Sequence, residues 1–438
     1  MNSDKTELFL AGVDDVEYAA VYAYGFPFAN LPIRYLGLPL MSRKLKISEF
    51  EPLVVKIKAK LNFWAVKSLS FAGRLQLLSS VISGIVVFWM STFRLPKGCI
   101  REIESMCARF LWSGGTDEHH KAKVSWSTVC LPKAEGGLGV RKFTEWNTAL
   151  NLKLIWLLFS NSGSLWVAWH LFHNLSTSVS NFWLIKEGTT DSWNWRCLLR
   201  LRPLASKFLF CSIGNGLTAS FWADSWTPFG PLLTFIGSDG PRNQRIPLCS
   251  KVADVVNGNR WLLPSPRSSN ALNLHAFLTT LSIPLQPLVE DSYLWKVENC
   301  SDIGFSSAHT WNALRHKEVE KPWVSSVWFK GVTPKNAFNM WITHQDRLRT
   351  KLRMIAWGFL VSPVCALCQV GFETRDHLML SCDFSVSVWA LVRQRIGTPL
   401  TIFQNWSELI LWTQNRSKAA PSTLRKLVAQ AVVYALWK

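Results

Sequence analysis

The sequence predicts a mostly α protein with small β elements, an α+β chain in which helical regions flank an irregular connection and a small module near the C-terminus. Three observations carry this expectation. Apolar residues recur at helical spacing over several long stretches. Short apolar runs punctuated by Pro and Gly, which suit extended chain, are confined to the N-terminus and the middle. Three cysteines and one histidine lie within eighteen residues near the C-terminus.

In chain order, Pro27, Pro32 and Pro39 break residues 1–40 into short strands and turns. Residues 48–112 read as helical. Ser48 can cap, Glu49 and Glu51 sit where the helix dipole favours acids, and Leu53, Ile57 and Leu61 form an apolar stripe. Pro96-Lys97-Gly98 interrupts, and a second helix is expected from about Cys99 to Trp112. The uncharged stretch Leu75–Phe93 is long enough to cross a bilayer. Its Gln76, Ser79, Ser80, Ser83, Gly84, Ser91 and Thr92 lower its hydropathy and favour a buried helix instead.

Gly114-Gly115 and Gly136-Gly137-Leu138-Gly139 mark turns, and residues 144–172 return to a helical pattern through Trp146, Leu150, Leu154 and Leu157. Residues 208–230 predict a hairpin: Phe208–Ile213, the turn Gly214-Asn215-Gly216, then Thr218–Trp222. Residues 228–290, rich in Pro, Ser, Asn and Gly, predict a loose connection. Strand, turn and helix are expected over 292–315, helix over about 334–358, and helix again over 422–438.

A chain of 438 residues implies two to four domains at roughly 100–200 residues each. Its 48% hydrophobic content excludes a disordered chain. The 24 Trp are expected mainly in cores. With 48 Lys+Arg against 29 Asp+Glu, the net charge of +19 favours a polyanionic partner, nucleic acid before a membrane surface. No secretory signal opens the chain, so the thiols are expected reduced, in nucleus or cytoplasm. Cys99, Cys107, Cys130, Cys197, Cys211, Cys249 and Cys300 are isolated and read as small core hydrophobes.

The remaining cysteines carry the chemistry. Cys365, Cys368, His377 and Cys382 follow the spacing C-x2-C-x8-H-x4-C. Two thiolates on a tight turn can share one metal, and a His–Cys pair can close the tetrahedron. The ligand set suits one Zn2+, and with four protein donors no position remains for an activated water, so the ion is structural. Pro363 and Gly371 fit the turn. Thr374 is a plausible cap for a following helix, and Leu378, Met379, Phe384 and Trp389 supply a small apolar core. The competing explanation is chance placement among ten Cys and nine His.

Just upstream, a helix through Arg347-Leu348-Arg349-Thr350-Lys351-Leu352-Arg353 would stack Arg347 on Lys351 and Arg349 on Arg353, a cationic face beside Trp341 and Trp357. With Lys56, Lys60 and Lys67 of the first helical region, these are the expected phosphate contacts; a solvated face is the plainer alternative. Asp14-Asp15 resembles the aspartate pair of a metal-dependent polymerase. Two-metal catalysis needs a third, distant carboxylate, and none stands out. His119-His120 reads as a solvated loop.

The residues also carry a family resemblance. Pro32-Ile33-Arg34-Tyr35-Leu36-Gly37-Leu38-Pro39-Leu40 is similar to the segment that follows the palm in plant LINE-type (non-LTR retrotransposon) reverse transcriptases. Leu61-Asn62-Phe63-Trp64, Ser70 to Leu77, Phe110-Leu111-Trp112, Gly136 to Gly139 and Gly214-Asn215-Gly216 match in the same order. Phe305 to Trp357, then Cys365, Cys368, His377-Leu378 and Cys382, resemble that family's zinc-binding domain. The resemblance implies the end of a palm and a thumb-like region over 1–160, a connection over 161–302, the zinc-binding domain over 303–392 and a helical tail over 393–438. It also favours a thumb helix over a membrane span for Leu75–Phe93. The family's catalytic aspartates and endonuclease precede the segment resembled by Lys5 to Gly12, and the family continues past Trp437-Lys438. The expectation is therefore a piece of an RNA-directed DNA polymerase, truncated at both ends, with no catalytic residue and no polymerase activity alone. It would bind RNA or DNA, not membrane. The alternative is a non-catalytic interaction protein, or a degenerate relic, in which zinc organises a protein-binding surface.

Overall fold

Helices dominate the chain, and the paired strands are only two to four residues long. The computed structural model describes residues 6–10, 12–41, 43–65, 68–116, 122–283, 285–298, 304–400 and 402–438. Lys67, Cys300 and the His119-His120 pair lie outside the described residues. The chain folds as two units, each assembled from three separated stretches. One comprises Met1–Glu51, Val87–Lys97 and Thr144–Arg315; the other comprises Pro52–Val86, Gly98–Phe143 and His316–Lys438.

In the first unit, Ile33–Tyr35 and Leu38–Leu40 pair antiparallel with Tyr35 opposite Leu38, the short strands expected of this stretch. Asp14 serves as a helix cap: its carboxylate accepts the N–H groups of Val16 and Glu17 at the start of Asp15–Tyr22. The expected helical region 144–172 is two helices, Phe143–Phe159 and Leu165–His173. The former is apolar around most of its circumference, and a helix of that kind must be buried. Leu152, Ile155, Leu158 and Phe159 pack with Phe182, Trp195 and Trp295 in one core. Asn147, 2% exposed, pins the segment beneath it: Oδ1 accepts from Leu95 N–H, and Nδ2 donates to the carbonyls of Met90 and Phe93.

The hairpin expected over 208–222 does not form. Leu209–Ser212 pairs antiparallel with Ser292–Trp295, eighty residues downstream, with Leu209 opposite Trp295. The glycine turn instead wraps a carboxylate. Asp291 accepts the backbone N–H groups of Gly214 (2.8 Å), Gly216 (2.9 Å), Thr218 (2.9 Å) and Ala219 (3.0 Å). Glycine is required at 214 because a Cβ there would overlap the Val289 carbonyl oxygen. Four charge-assisted bonds to one anion outweigh the ladder bonds of a local hairpin. The stretch 228–290 is irregular in path but not loose: short helices Leu232–Ile236, Gly240–Gln244 and Ser269–Leu278 close a second core around Trp222, Trp226, Val252 and Leu274.

In the second unit, the helix Glu51–Ala65 buries Leu53, Ile57 and Leu61 completely, as its stripe predicts. Ser48 is not its cap. It lies inside a 3-10 turn, Ile47–Phe50, whose start is tied by Glu49 to the Lys46 N–H. The helix after Pro96 runs Lys97–Ser113 and buries Ile103, Cys107 and Phe110. Helical chain is continuous from Phe71 to Met90 through a π turn at Leu78–Ile82. Among the described residues it alone is long and apolar enough to cross a membrane. It is half-buried rather than buried: Leu78, Ile82 and Val86 face inward, while Val81 and Phe88 are exposed.

Later segments close on these helices. Phe338 stacks on Phe71 (5.3 Å, 9°), Trp341 Nε1 donates to the Gly136 carbonyl (2.7 Å), and the Glu135 carboxylate accepts from Glu318 N–H (3.0 Å). The tail is helical as expected, Trp406–Gln414 and Ser422–Trp437, and Gln430 ties it to the carbonyls of Ser326 and Val327. Of the isolated cysteines, Cys99, Cys107, Cys130, Cys197 and Cys211 are buried free thiols; Cys249 is exposed and does not fill a core. Trp195, Trp222, Trp295 and Trp341 are among the largest fully buried side chains.

Burial alone would disfavour ionised Asp291, but the N–H groups of Ala219, Gly214, Thr218 and Gly216 prevail and hold its carboxyl below the usual range. A depressed carboxyl contributes stability above its unfolded value that is lost as pH falls through the folded one. Asp291→Asn should therefore cost about 1.5–3 kcal/mol in urea denaturation at pH 7, and the gap from wild type should narrow below about pH 4. A gap that stayed constant down to acid unfolding would show that the charge contributes nothing.

Candidate metal centre

Two local structures bring the cluster together. The first is a turn between Pro363 and Glu373. Val364 and Phe372 bridge antiparallel, Cys365 N–H donates to the Gly371 carbonyl (2.7 Å), and Glu373 N–H donates to the Pro363 carbonyl (2.9 Å). Gln369 takes a left-handed φ of 58°, which lets the chain double back and put Cys365 and Cys368 on one side.

The second is a π turn, His377–Ser381, closed by Cys382 N–H donating to the His377 carbonyl (2.7 Å). The helix begins where expected: Thr374 Oγ1 accepts from His377 N–H (3.0 Å). In an α-helix, residues five apart point about 140° away from each other. The i→i+5 turn is wider and returns Cys382 to the side of His377. Two carbonyls of the turn are taken by side chains of the next helix, Asp383–Arg395: Ser385 Oγ donates to Leu378 (2.6 Å) and Trp389 Nε1 to Met379 (2.8 Å).

The ligating atoms of Cys365, Cys368, His377 and Cys382 all lie within 4.8 Å of one another. The sulfurs of Cys365 and Cys382 are 4.0 Å apart, and Cys368 Sγ is 3.3 Å from His377 Nε2. A tetrahedron with Zn–S bonds of about 2.3 Å and Zn–N bonds of about 2.0 Å separates its corners by about 3.5–3.8 Å, so the donors fit an ion of that size. Cys365 and Cys382 are fully buried, whereas Cys368 and His377 are half-buried. The N–H groups of Gly371 and Val370, with His377 beside it, draw the Cys368 thiol down to about 6. Burial pushes Cys382 up.

Two residues beyond the four set this geometry. Gly371 lies against the imidazole: a Cβ would sit 2.6 Å from His377 Cε1. Glu373, 6% exposed, accepts from Lys351 N–H with Oε1 (3.0 Å) and from Ala366 N–H with Oε2 (3.1 Å). It thereby ties the turn to the first residue of the helix Lys351–Ala356, where the Thr350 side chain makes no cap bond. Nothing in the sequence marks Glu373 as more than an acid near a helix start. The local core is larger than expected. Leu378, Met379 and Trp389 are buried, and Trp389 packs on Phe403 (5.2 Å) and Trp412 (6.1 Å); Phe384 is exposed.

The cationic helix face expected over 347–353 does not exist. The helix Pro334–His344 ends in a Schellman motif. Asp346 is left-handed (φ 50°), its N–H donates to Thr343, and Arg347 N–H donates to Ile342. Arg347 and Arg349 are exposed in the turn that follows. Lys351 Nζ donates to the Val364 carbonyl (2.7 Å), and Arg353 lies 3.6 Å from Asp346 and over the Trp357 ring. Trp341 is fully buried rather than flanking a surface. Lys56 and Lys60 are exposed on the helix Glu51–Ala65.

The four donors define a closed metal module of the Cys3His class. Residues 305–389 match the family described as zinc-binding in reverse transcriptase. The chain is 27% identical over 364 residues to an Arabidopsis thaliana protein named as a putative ribonuclease H protein, covering 81% of this chain and 57% of that one. It is 30% identical over 151 residues to an uncharacterized mitochondrial protein of Arabidopsis thaliana, covering 33% of this chain and 97% of that one. The chain belongs to the plant LINE-type reverse-transcriptase family and carries that family's zinc-binding domain.

Gly371→Ala should push the imidazole off the cluster. Titrated with Co2+ and followed by thiolate-to-metal absorption, the variant should bind about 10–100-fold more weakly, the usual penalty for disturbing a ligand's support. Unchanged affinity would mean that His377 is not held by this contact.

Proposed function

We propose that this chain is a zinc-organised, nucleic-acid-holding part of a retrotransposon-derived reverse transcriptase and performs no polymerisation by itself. The single observation that carries the reading is the closed Cys3His cluster inside the matched zinc-binding segment. One Zn2+ at Cys365, Cys368, His377 and Cys382 would be structural, joining the turn at 363–373 to the π turn behind it. Beside that centre, Arg347 and Arg349 extend from the loop, and Lys56 and Lys60 belong to the same unit. With the net charge of +19, these cations suit phosphate contact with RNA or DNA and no base preference.

A second reading has an observation in its favour. Leu367, Val370 and Phe372 on the turn, with Phe359 and Leu360 just before it, are exposed apolar side chains. Exposed apolar groups around a metal turn suit a protein partner.

Salt separates the two. Anisotropy with labelled single-stranded RNA and DNA should give a log–log salt slope that Arg347→Ala with Arg349→Ala flattens by about 1.5, two phosphate contacts at roughly 0.7–0.9 each. Chelation of the metal should weaken binding further by freeing the loop. Undetectable binding at low salt would contradict the proposal and favour the protein-partner reading.

A further inference from the structure

From the first unit we infer that two clefts sharing Arg200 form a second nucleic-acid site, specific for single strands and separate from the zinc-bearing unit. It deepens the nucleic-acid reading but uses none of the residues on which that reading rests.

One cleft, about 790 Å³, is walled by residues from three segments distant in sequence: 39–41 with 43–45 and Phe50, 92–97, and 189–200. Arg43, Lys44, Arg94, Lys97, Arg196 and Arg200 line it against one acid, Asp191. The Asp191 carboxylate already accepts from Gly188 N–H (2.7 Å). Arg43 and Arg200 are paired, with Glu49 and Glu187, whereas Lys44, Arg94, Lys97 and Arg196 form no ion pair among the described residues. Lys44 Nζ sits 4.0 Å above the Trp193 ring, so the aromatic surface there is covered by cations. Like charges gathered in a concave wall focus a positive field and attract a polyanion.

The other cleft, about 1370 Å³, is lined by Trp183, Phe208, Phe210, Trp226 and Phe277, with Arg200, Arg202, Lys207 and Lys296 among them and no carboxylate. Lys296 Nζ lies 3.6 Å from the Phe210 ring centre. Trp226 is buried against Trp261 and Phe208 is stacked on Trp295, so the half-buried rings of Phe210, Trp183 and Phe277 are the ones left to stack on bases that are not already stacked in a duplex. A cation-lined groove that shares Arg200 with an aromatic-walled one offers the chemistry that single strands require, phosphates on one side and unstacked bases on the other. Arg200, common to both walls, is where the backbone would pass from one cleft to the other.

The test uses the full chain and fluorescein-labelled oligothymidylate or oligouridylate of about twenty residues, enough to span one or more such sites, with a duplex of equal length as comparison. The single strand should bind at least about tenfold tighter than the duplex, the worth of one stacked base. Lys44, Lys97 and Lys207 replaced together by Ala should lower the magnitude of the salt slope by about 2, three contacts at roughly 0.7 each. Phe210→Ala should weaken single-strand binding about tenfold, the loss of one stacked base, and Phe210→Trp should restore it; the rescue distinguishes stacking from a folding defect. Duplex preference, or an unchanged slope in the triple variant, would overturn the inference. If Arg347→Ala with Arg349→Ala lowers affinity while neither the triple lysine variant nor Phe210→Ala has any effect, this site is wrong while the general nucleic-acid reading stands. If no oligonucleotide binds at low salt, both are wrong.

Discussion

Residues five apart on an α-helix face away from each other, and the C-terminal module depends on escaping that rule. His377 and Cys382 must reach one point, so the helix widens to a π turn between them. The turn displaces carbonyls from their usual partners, and Ser385 and Trp389 supply replacements. Those two side chains anchor the helix Asp383–Arg395, whose Trp389 joins the core with Phe403 and Trp412. The positions of the four donors, the π turn and the C-terminal helices are thus set by one connected group of contacts.

Carboxylates recur as local organisers. Glu373 stands in for the missing cap of the helix Lys351–Ala356 while holding the cysteine turn. Asp291 gathers four N–H groups from a loop that would otherwise have to form a hairpin. Asp14 caps the first helix. Each replaces backbone partners with a single anion, which orders irregular chain without a strand or helix. In a protein of charge +19 this leaves many cations unneutralised, and several of them gather in clefts and on loops.

The features legible in the sequence are those set by local periodicity or by covalent spacing. The Leu53–Ile57–Leu61 stripe, the helix after Pro96, the Thr374 start and the convergence of Cys365, Cys368, His377 and Cys382 follow from residues within a few turns of each other. What the sequence conceals depends on distant partners or on how a helix stops. Leu209–Ser212 reads as half of a local hairpin because Gly214-Asn215-Gly216 is a strong turn signal; the partner strand and Asp291 lie about eighty residues away. The run Arg347–Arg353 reads as one helix because no Gly or Pro breaks it, whereas Asp346 ends the helix in a left-handed conformation. Glu373 and Gly371 become recognisable only once the imidazole and the Lys351 N–H have positions.

One zinc ion is proposed to hold the two halves of this module through three sulfurs and one nitrogen. X-ray absorption at the zinc edge, on the purified full chain, tests it most directly. The expected spectrum shows one zinc per chain with three sulfur neighbours at about 2.3 Å and one nitrogen at about 2.0 Å, retained in Cys249→Ser and lost in Cys365→Ser. A preparation without stoichiometric zinc, or a spectrum dominated by oxygen and nitrogen neighbours, would contradict it.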